Sequence, residues 1–180
     1  PEPGGSENGT PFEIIDENID IINQELGQRL MEQILNKSPD FFEHVVKKLL
    51  QAMGYGEGKV TGQSGDGGID GFINEDTLGL DTIYFQAKRF TPGNPVGQSM
   101  IRDFIGTLQM HGKDKGVFMT TSTFPRVIDE IAEKSHKKVV FIDGVRLVKL
   151  MIQYDVGVRN IRIFNVEAID QDFFESDSDI

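Results

Sequence analysis

The segment Gln63–Arg89, QSGDGGIDGFINEDTLGLDTIYFQAKR, decides how this 180-residue chain folds. It opens with a glycine-rich turn, places Asp70 in an apolar run, and closes with the alternating stretch Thr82–Lys88. Successive side chains of a strand point to opposite faces of its sheet. The alternation therefore predicts a strand with Ile83, Phe85 and Ala87 on one face and Tyr84, Gln86 and Lys88 on the other.

Three polar side chains of this segment are candidate functional groups: Asp70, Gln86 and Lys88. If Asp70 lies on a neighbouring strand, its carboxylate meets Gln86 and Lys88 at one edge of the sheet. A carboxylate and an amide oxygen suit a hard divalent cation, and a lysine offsets charge on an attacking water or a scissile phosphate. The spacing D-x15-Q-x-K thus indicates a divalent-metal site for phosphodiester hydrolysis, although so short a motif depends on its surroundings.

Composition restricts the class of protein. Hydrophobic residues make up 38% of the chain and include 13 phenylalanines, enough for one core with extensions. The chain has no cysteine, which excludes a disulfide framework and a thiolate zinc site. No apolar run approaches the roughly 20 residues of a membrane span, and no signal peptide is visible, so we expect a cytoplasmic protein. The missing initiating Met predicts a fragment or a processed product.

The net charge of −11 is unfavourable for a protein that binds nucleic acid, but the acidity is unevenly distributed. Residues 1–43 carry 10 acids and 2 bases, and residues 151–180 carry 7 acids and 2 bases. Residues 44–150 carry 12 acids and 14 bases. A nucleic-acid role for the central part is therefore compatible with the composition.

Apolar periodicity predicts the order α-β-β-β-α-β-α-β-α-β, an α/β fold with a mixed sheet flanked by helices. Residues 1–10 have linker composition, and 170–180 form an acidic tail. The predicted helices span about 13–36, 39–53, 98–111, 125–135 and 144–154, and the best-defined strands about 59–62, 82–88, 115–121, 138–142 and 158–168. We expect the first helix to pack on the core or on a partner domain.

Other motifs are less informative. The chain contains no GxGxxG or P-loop pattern, and the sequence around Ser64 lacks the second glycine of a GxSxG elbow. His44, His111 and His136 have no partners at metal-ligand spacing, so we expect them on the surface. Thr120 and Thr121 end a strand and are either DNA-facing residues or structural ones.

Glu43 lies at the border of the apolar face of the second helix, beside Leu50 on a helical wheel. A carboxylate in that position can point toward a site beneath the helix. It can also be a solvated residue on the helix flank, and the residues alone favour this second interpretation.

A resemblance to a known family adds to this reading. The stretches SPDFFEHVVKKLLQAMGYG, GQSGDGGIDG, IYFQAKR, KGVFMTTSTF and IDGVRLVKLMIQYDVGV follow one another in the order of the catalytic domain of Mrr-type restriction endonucleases. This resemblance to a branch of the PD-(D/E)xK nuclease superfamily covers about 38–160. It implies a restriction-endonuclease-like α-β-β-β-α-β core, with residues 1–37 as linker and connecting helix, 38–168 as nuclease domain and 169–180 as tail.

The resemblance also implies site residues. Asp70 matches the metal-binding aspartate and Lys88 the catalytic lysine. Gln86 stands where most of the superfamily has Asp or Glu, which is the form that Mrr-like members usually show, and Glu43 matches a supplementary first-helix glutamate. Asp70, Gln86 and Glu43 would then hold Mg²⁺, for which Mn²⁺ could substitute.

The implied partner is double-stranded DNA, methylated in this family. The implied activity is that of a type IV, Mrr-like endodeoxyribonuclease. We expect an N-terminal DNA-recognition domain in the full-length protein, a possible homo-oligomer, and weak DNA binding by this chain alone. Three alternatives stay open: a Holliday-junction-resolvase-like nuclease, a non-catalytic DNA-binding or regulatory module of the same fold, and an assembly domain.

Overall fold

The computed structural model describes residues 9–61 and 68–175. In these ranges the helices are α1 (Pro11–Leu35), α2 (Pro39–Ala52), α3 (Gln98–Met110), α4 (Ile128–Ser135), α5 (Gly144–Gln153) and α6 (Gln171–Glu175). The strands are β1 (Gly58–Val60), β2 (Gly71–Asn74), β3 (Thr82–Lys88), β4 (Lys115–Thr120) and β5 (Lys138–Ile142). None of these helices is both long enough and apolar enough to cross a bilayer.

The strands form one sheet in the order β1-β2-β3-β4-β5. Strands β1, β2 and β3 are antiparallel neighbours, whereas β3, β4 and β5 run parallel. The parallel pairs need crossovers, which α3 and α4 provide. The predicted mixed α/β sheet is confirmed.

Helices cover both faces of this sheet, and the alternation of β3 explains why. Ile83, Phe85 and Ala87 lie in a core shared with α1, α2 and α5. On the opposite face, Phe118 of β4 packs edge-on against Phe104 of α3, with 5.4 Å between ring centroids. The predicted division of β3 into two faces is therefore correct.

The first two helices both begin at a side-chain cap, and α1 starts two residues before the predicted position. Thr10 and Glu13 form a reciprocal capping box at the start of α1. Ser38 accepts a hydrogen bond from the backbone N–H of Phe41, and Pro39 occupies the first position of α2. The carboxyl-terminal part of α1 joins the core through Leu30 and Ile34, whereas the large apolar side chains of its first half are exposed.

One predicted element is wrong. Residues 158–168 alternate in polarity but form no strand, and Ile161 is 91% exposed. Alternating polarity is typical of a strand, but a strand also needs a neighbouring strand that pairs with its backbone N–H and C=O groups. Within residues 9–61 and 68–175 no strand pairs with residues 158–168. The beginning of the predicted acidic tail forms the short helix α6 instead.

Candidate active site

Asp70 lies immediately before β2, where the sheet ladder continues by one residue. Its backbone N–H donates to the carbonyl of Phe85 at 3.0 Å. The register Gly71 opposite Phe85, extended by one position, sets Asp70 against Gln86. The Asp70 Oδ2 atom accepts a hydrogen bond from the Ala87 N–H at 2.7 Å and lies 3.4 Å from Lys88 Nζ. The structure therefore brings Asp70, Gln86 and Lys88 together, as the sequence predicts.

Gln86 is only 4% exposed, yet its Oε1 atom has no hydrogen-bond partner among the described residues. Leaving a buried acceptor unpaired costs roughly 1–3 kcal/mol. A strand residue kept for structure alone would normally find a donor or be apolar. The amide oxygen, which no described residue hydrogen-bonds, could therefore coordinate a metal ion or accept a bond from a bound ligand.

Gly68 lies close to the Gln86 amide, at the end of the glycine-rich segment whose residues 62–67 lie outside the described residues. Its φ is +97°, in the region that favours glycine. A Cβ at this position would come within 2.6 Å of Gln86 Nε2. A larger residue at position 68 would therefore strain the backbone and push the Gln86 amide aside.

Glu43 reaches the same electrostatic environment from α2. Partial burial raises the pKa of Glu43, and the negative charge of Asp70 raises it further. Lys88 acts on the Glu43 pKa in the opposite direction. These effects place Glu43 within electrostatic range of both Asp70 and Lys88, which favours the site interpretation over a solvated flank residue.

Burial also raises the pKa of Asp70, against the lowering effects of the Ala87 N–H and of Lys88. The carboxylate is 15% exposed and the lysine 30%. Asp70 is thus a partly dehydrated carboxylate that has Lys88 beside it and the Glu43 carboxylate within electrostatic range. Such a site gains from an added cation.

The donor set fits a hard divalent metal ion. Within 9–61 and 68–175 no group of three His, Cys, Asp or Glu side chains could hold a metal ion. The third ligand would instead be Gln86 Oε1, the buried acceptor that lacks a partner. An all-oxygen set of two carboxylates and one amide suits Mg²⁺ or Mn²⁺ rather than Zn²⁺.

The remaining sequence candidates have structural roles. Thr120 is fully buried, and its hydroxyl donates to the Lys88 carbonyl at 2.8 Å. The Thr121 hydroxyl bonds to both the N–H and the carbonyl of Phe90. These buried threonines connect the end of β3 to β4, which favours the structural interpretation. The three histidines His44, His111 and His136 are exposed, as predicted.

Removing the charge of Asp70 should stabilise the metal-free protein at neutral pH. The folded-state pKa of Asp70 is raised, so ionisation destabilises the folded state as pH rises through the unfolded and then the folded pKa. Asp70→Asn should raise Tm by a few degrees at pH 7 in the presence of EDTA. The gain should vanish in acid, where the parent carboxyl is also protonated. Thermal unfolding between pH 3.5 and 8 measures this difference.

Asp76→Asn is a control that should change Tm at neutral pH in the opposite direction to Asp70→Asn. The pKa of Asp76 is lowered, chiefly by the hydrogen bond from the Asp81 N–H and also by the Leu80 and Leu78 N–H groups. Its stabilising contribution is present above the unfolded pKa and lost as pH falls through the folded pKa. Asp76→Asn should therefore lower Tm at neutral pH. A lower Tm for Asp70→Asn at pH 7 would contradict the proposed dehydration of the site.

Known proteins have sequences related to that of this chain. A family model described as restriction endonuclease, the Mrr catalytic domain, matches residues 34–151. The type IV methyl-directed restriction enzyme EcoKMrr of Escherichia coli strain K12 is 38% identical over 170 residues. That alignment covers 92% of this chain and 55% of the relative, so the chain spans about half the length of the curated relative it matches.

Two solved structures have folds similar to that of this chain. The MspJI restriction endonuclease, solved in complex with a 27-mer oligonucleotide, superposes with a TM-score of 0.57 at 25% identity, over 75% of this chain and 33% of that one. The DNA modification-dependent restriction endonuclease AspBHI gives a TM-score of 0.58 at 22% identity, over 76% and 36% of the two chains, and shows the fold alone.

Fold, site and comparisons define a restriction-endonuclease-like domain. Within that class, this chain belongs to the Mrr-type restriction endonuclease family, whose catalytic domain it contains.

Proposed function

We propose that this chain is the catalytic domain of a Mg²⁺-dependent endonuclease that hydrolyses DNA phosphodiester bonds. The observation that carries the proposal is the convergence of Asp70 and Lys88 at 3.4 Å, next to a buried amide oxygen without a partner. Glu43 adds a second carboxylate within electrostatic range. Membership of the restriction endonuclease family supports the same activity.

Glu43, Asp70 and Gln86 would hold the divalent ion. The two hydrogen bonds that the described residues donate to the Asp70 carboxylate both go to Oδ2, so Oδ1 would be the atom that binds the cation. The Ala87 N–H fixes the carboxylate, so little reorganisation is needed when a ligand arrives. When bound, the ion polarises the scissile phosphate and lowers the pKa of a coordinated water.

Lys88 completes the arrangement from the same strand. Its ammonium group, partly exposed, would orient the attacking water and balance the charge that builds up on the phosphate oxygens. The salt bridge to Asp70 keeps the ammonium group at the edge of the site. A phosphodiester approaching this edge would meet the lysine and the metal ligands together.

We further propose methylated double-stranded DNA as substrate, with recognition supplied by a domain outside this chain. The relative that shares 38% identity is described as methyl-directed and is about twice as long as this chain. Such a protein would work in the cytoplasm, and homo-oligomerisation also belongs to this proposal. A tethered DNA-recognition domain, the reader, would raise the local concentration of DNA for a chain whose two ends are acidic.

Plasmid cleavage tests the proposal. Methylated and unmethylated supercoiled plasmids are incubated with the chain, with Mg²⁺ and with EDTA. We expect nicked or linear DNA only with Mg²⁺. Without its reader, the chain should show little preference for methylated plasmid. Cleavage that persists in EDTA, or no cleavage of either plasmid at high protein concentration and low salt, would contradict the proposed activity.

A further inference from the structure

The carboxyl-terminal end of α1 is bound by an arginine from a distant part of the chain. The last carbonyls of a helix lack intrahelical partners and form the negative end of its dipole. The last turn of α1 contains no basic residue. Arg89, which lies 54 positions further along the chain, donates from Nη1 to the carbonyl of Leu35 at 2.8 Å. Arg89 therefore caps the carboxyl-terminal end of α1, although it lies far away in the sequence.

The bond joins two elements that carry proposed site residues. Arg89 directly follows Lys88 at the end of β3. Leu35 is the last residue of α1 and precedes Ser38, the N-cap of α2, by three positions. Glu43 then lies in the second turn of α2. A single hydrogen bond thus connects the strand end that carries Lys88 to the short loop that leads to Glu43.

Packing alone leaves some freedom at the beginning of α2. Phe42 and Val46 are fully buried and fix the depth of the helix on the sheet. Apolar contacts are not directional, so they limit small shifts of the first turn along the helix axis only weakly. Mg²⁺ requires near-ideal geometry at about 2.0–2.1 Å, and a shift of half an ångström would spoil it.

We propose that Arg89 is a positioning residue that holds Glu43 in register with Asp70 and Lys88. This inference rests on the metal site proposed above. The guanidinium group suits the role because it is planar, always charged and directional in its hydrogen bonds. Its Nε atom is buried and bonds to no other described residue, so the Leu35 carbonyl is the contact through which the group acts on the helix.

A double-mutant cycle with Mn²⁺ as the probe tests this inference. Mn²⁺ affinity is measured by isothermal titration for the parent, Arg89→Met, Glu43→Gln and the double variant. Arg89→Met should weaken binding roughly 10-fold in the parent, as loss of a supporting partner does at metal sites. In the Glu43→Gln background the same change should have little further effect, because the residue that Arg89 positions is already lost.

A purely structural arginine gives a different result. It would weaken Mn²⁺ binding equally in both backgrounds, and that outcome would overturn the inference. Arg146→Met is the matched control, since Arg146 also bonds to a backbone carbonyl, that of Phe141, away from the site. It should leave Mn²⁺ affinity unchanged. Arg89→Lys keeps the charge and should recover part of the affinity.

The cycle also separates two kinds of failure. If the parent does not bind Mn²⁺, the proposed metal site itself is wrong, and the inference is overturned with it. If the parent binds Mn²⁺ through Glu43 but Arg89→Met binds as well as the parent, only the role of Arg89 is wrong. Should Arg89→Met fail to fold, Arg89→Lys takes its place in the cycle, with a coupling to Glu43 of the same sign but smaller size.

Discussion

Asp70→Ala and Lys88→Ala should each lower DNA cleavage roughly 100- to 1,000-fold or more while leaving the fold intact. Removing one preorganised charge from a transition-state site commonly has this effect. Asp70 would supply a metal oxygen, and Lys88 would balance charge on the phosphate. Both side chains lie at the site edge and are partly accessible, so neither substitution opens a large cavity. Initial rates on plasmid, with circular dichroism to check the fold, measure the effect.

Lys115→Ala is the control for this pair. Lys115 also lies on a strand, β4, and forms ion pairs with Glu75 and Asp81. It should retain the parent rate because this cluster lies apart from the site. Near-parental cleavage by a folded Asp70→Ala or Lys88→Ala protein would remove the mechanism proposed above.

Gln86 gives the second large expected effect, on metal affinity. Gln86→Ala and Gln86→Met should both weaken Mn²⁺ binding by roughly 10-fold or more and reduce cleavage, because each removes the buried amide oxygen. Methionine preserves most of the side-chain volume, so a loss shared by both variants cannot come from a cavity. Mn²⁺ titration and cleavage rates measure the two effects.

Gln86→Glu should behave differently. A third carboxylate in this buried position adds a negative ligand and should preserve or strengthen Mn²⁺ binding, with some activity retained. Without metal it should lower Tm, because three carboxylates would then repel one another. If Gln86→Ala and Gln86→Met bind Mn²⁺ as well as the parent, Gln86 is a structural strand residue.

The sequence predicted the centre of the fold well because β3 is strongly patterned. Its alternation sets Ile83, Phe85 and Ala87 against one core and turns Gln86 and Lys88 to the other face. Once that register is fixed, Asp70 falls opposite Gln86 because it directly precedes β2 and continues the ladder by one residue.

Other features were beyond the sequence for physical reasons. The Ala87 N–H that holds Asp70 is a backbone donor, and no residue type signals it. The closeness of Gly68 to Gln86 depends on the three-dimensional backbone and not on a local residue pattern. The bond from Arg89 to Leu35 joins positions 54 residues apart. Residues 158–168 alternate in polarity but pair with no strand of the described part of the chain, and a local pattern cannot reveal this.

Mn²⁺ titration of the parent, Asp70→Asn and Lys88→Ala tests the central claim most directly, because it reports on the metal site independently of DNA. Asp70→Asn should lose nearly all measurable binding, since the amide lacks the carboxylate charge. Lys88→Ala should bind Mn²⁺ at least as well as the parent, because a nearby positive charge is gone. Failure of the parent to bind Mn²⁺, or undiminished binding by Asp70→Asn, would contradict a metal site built on Asp70, Gln86 and Glu43.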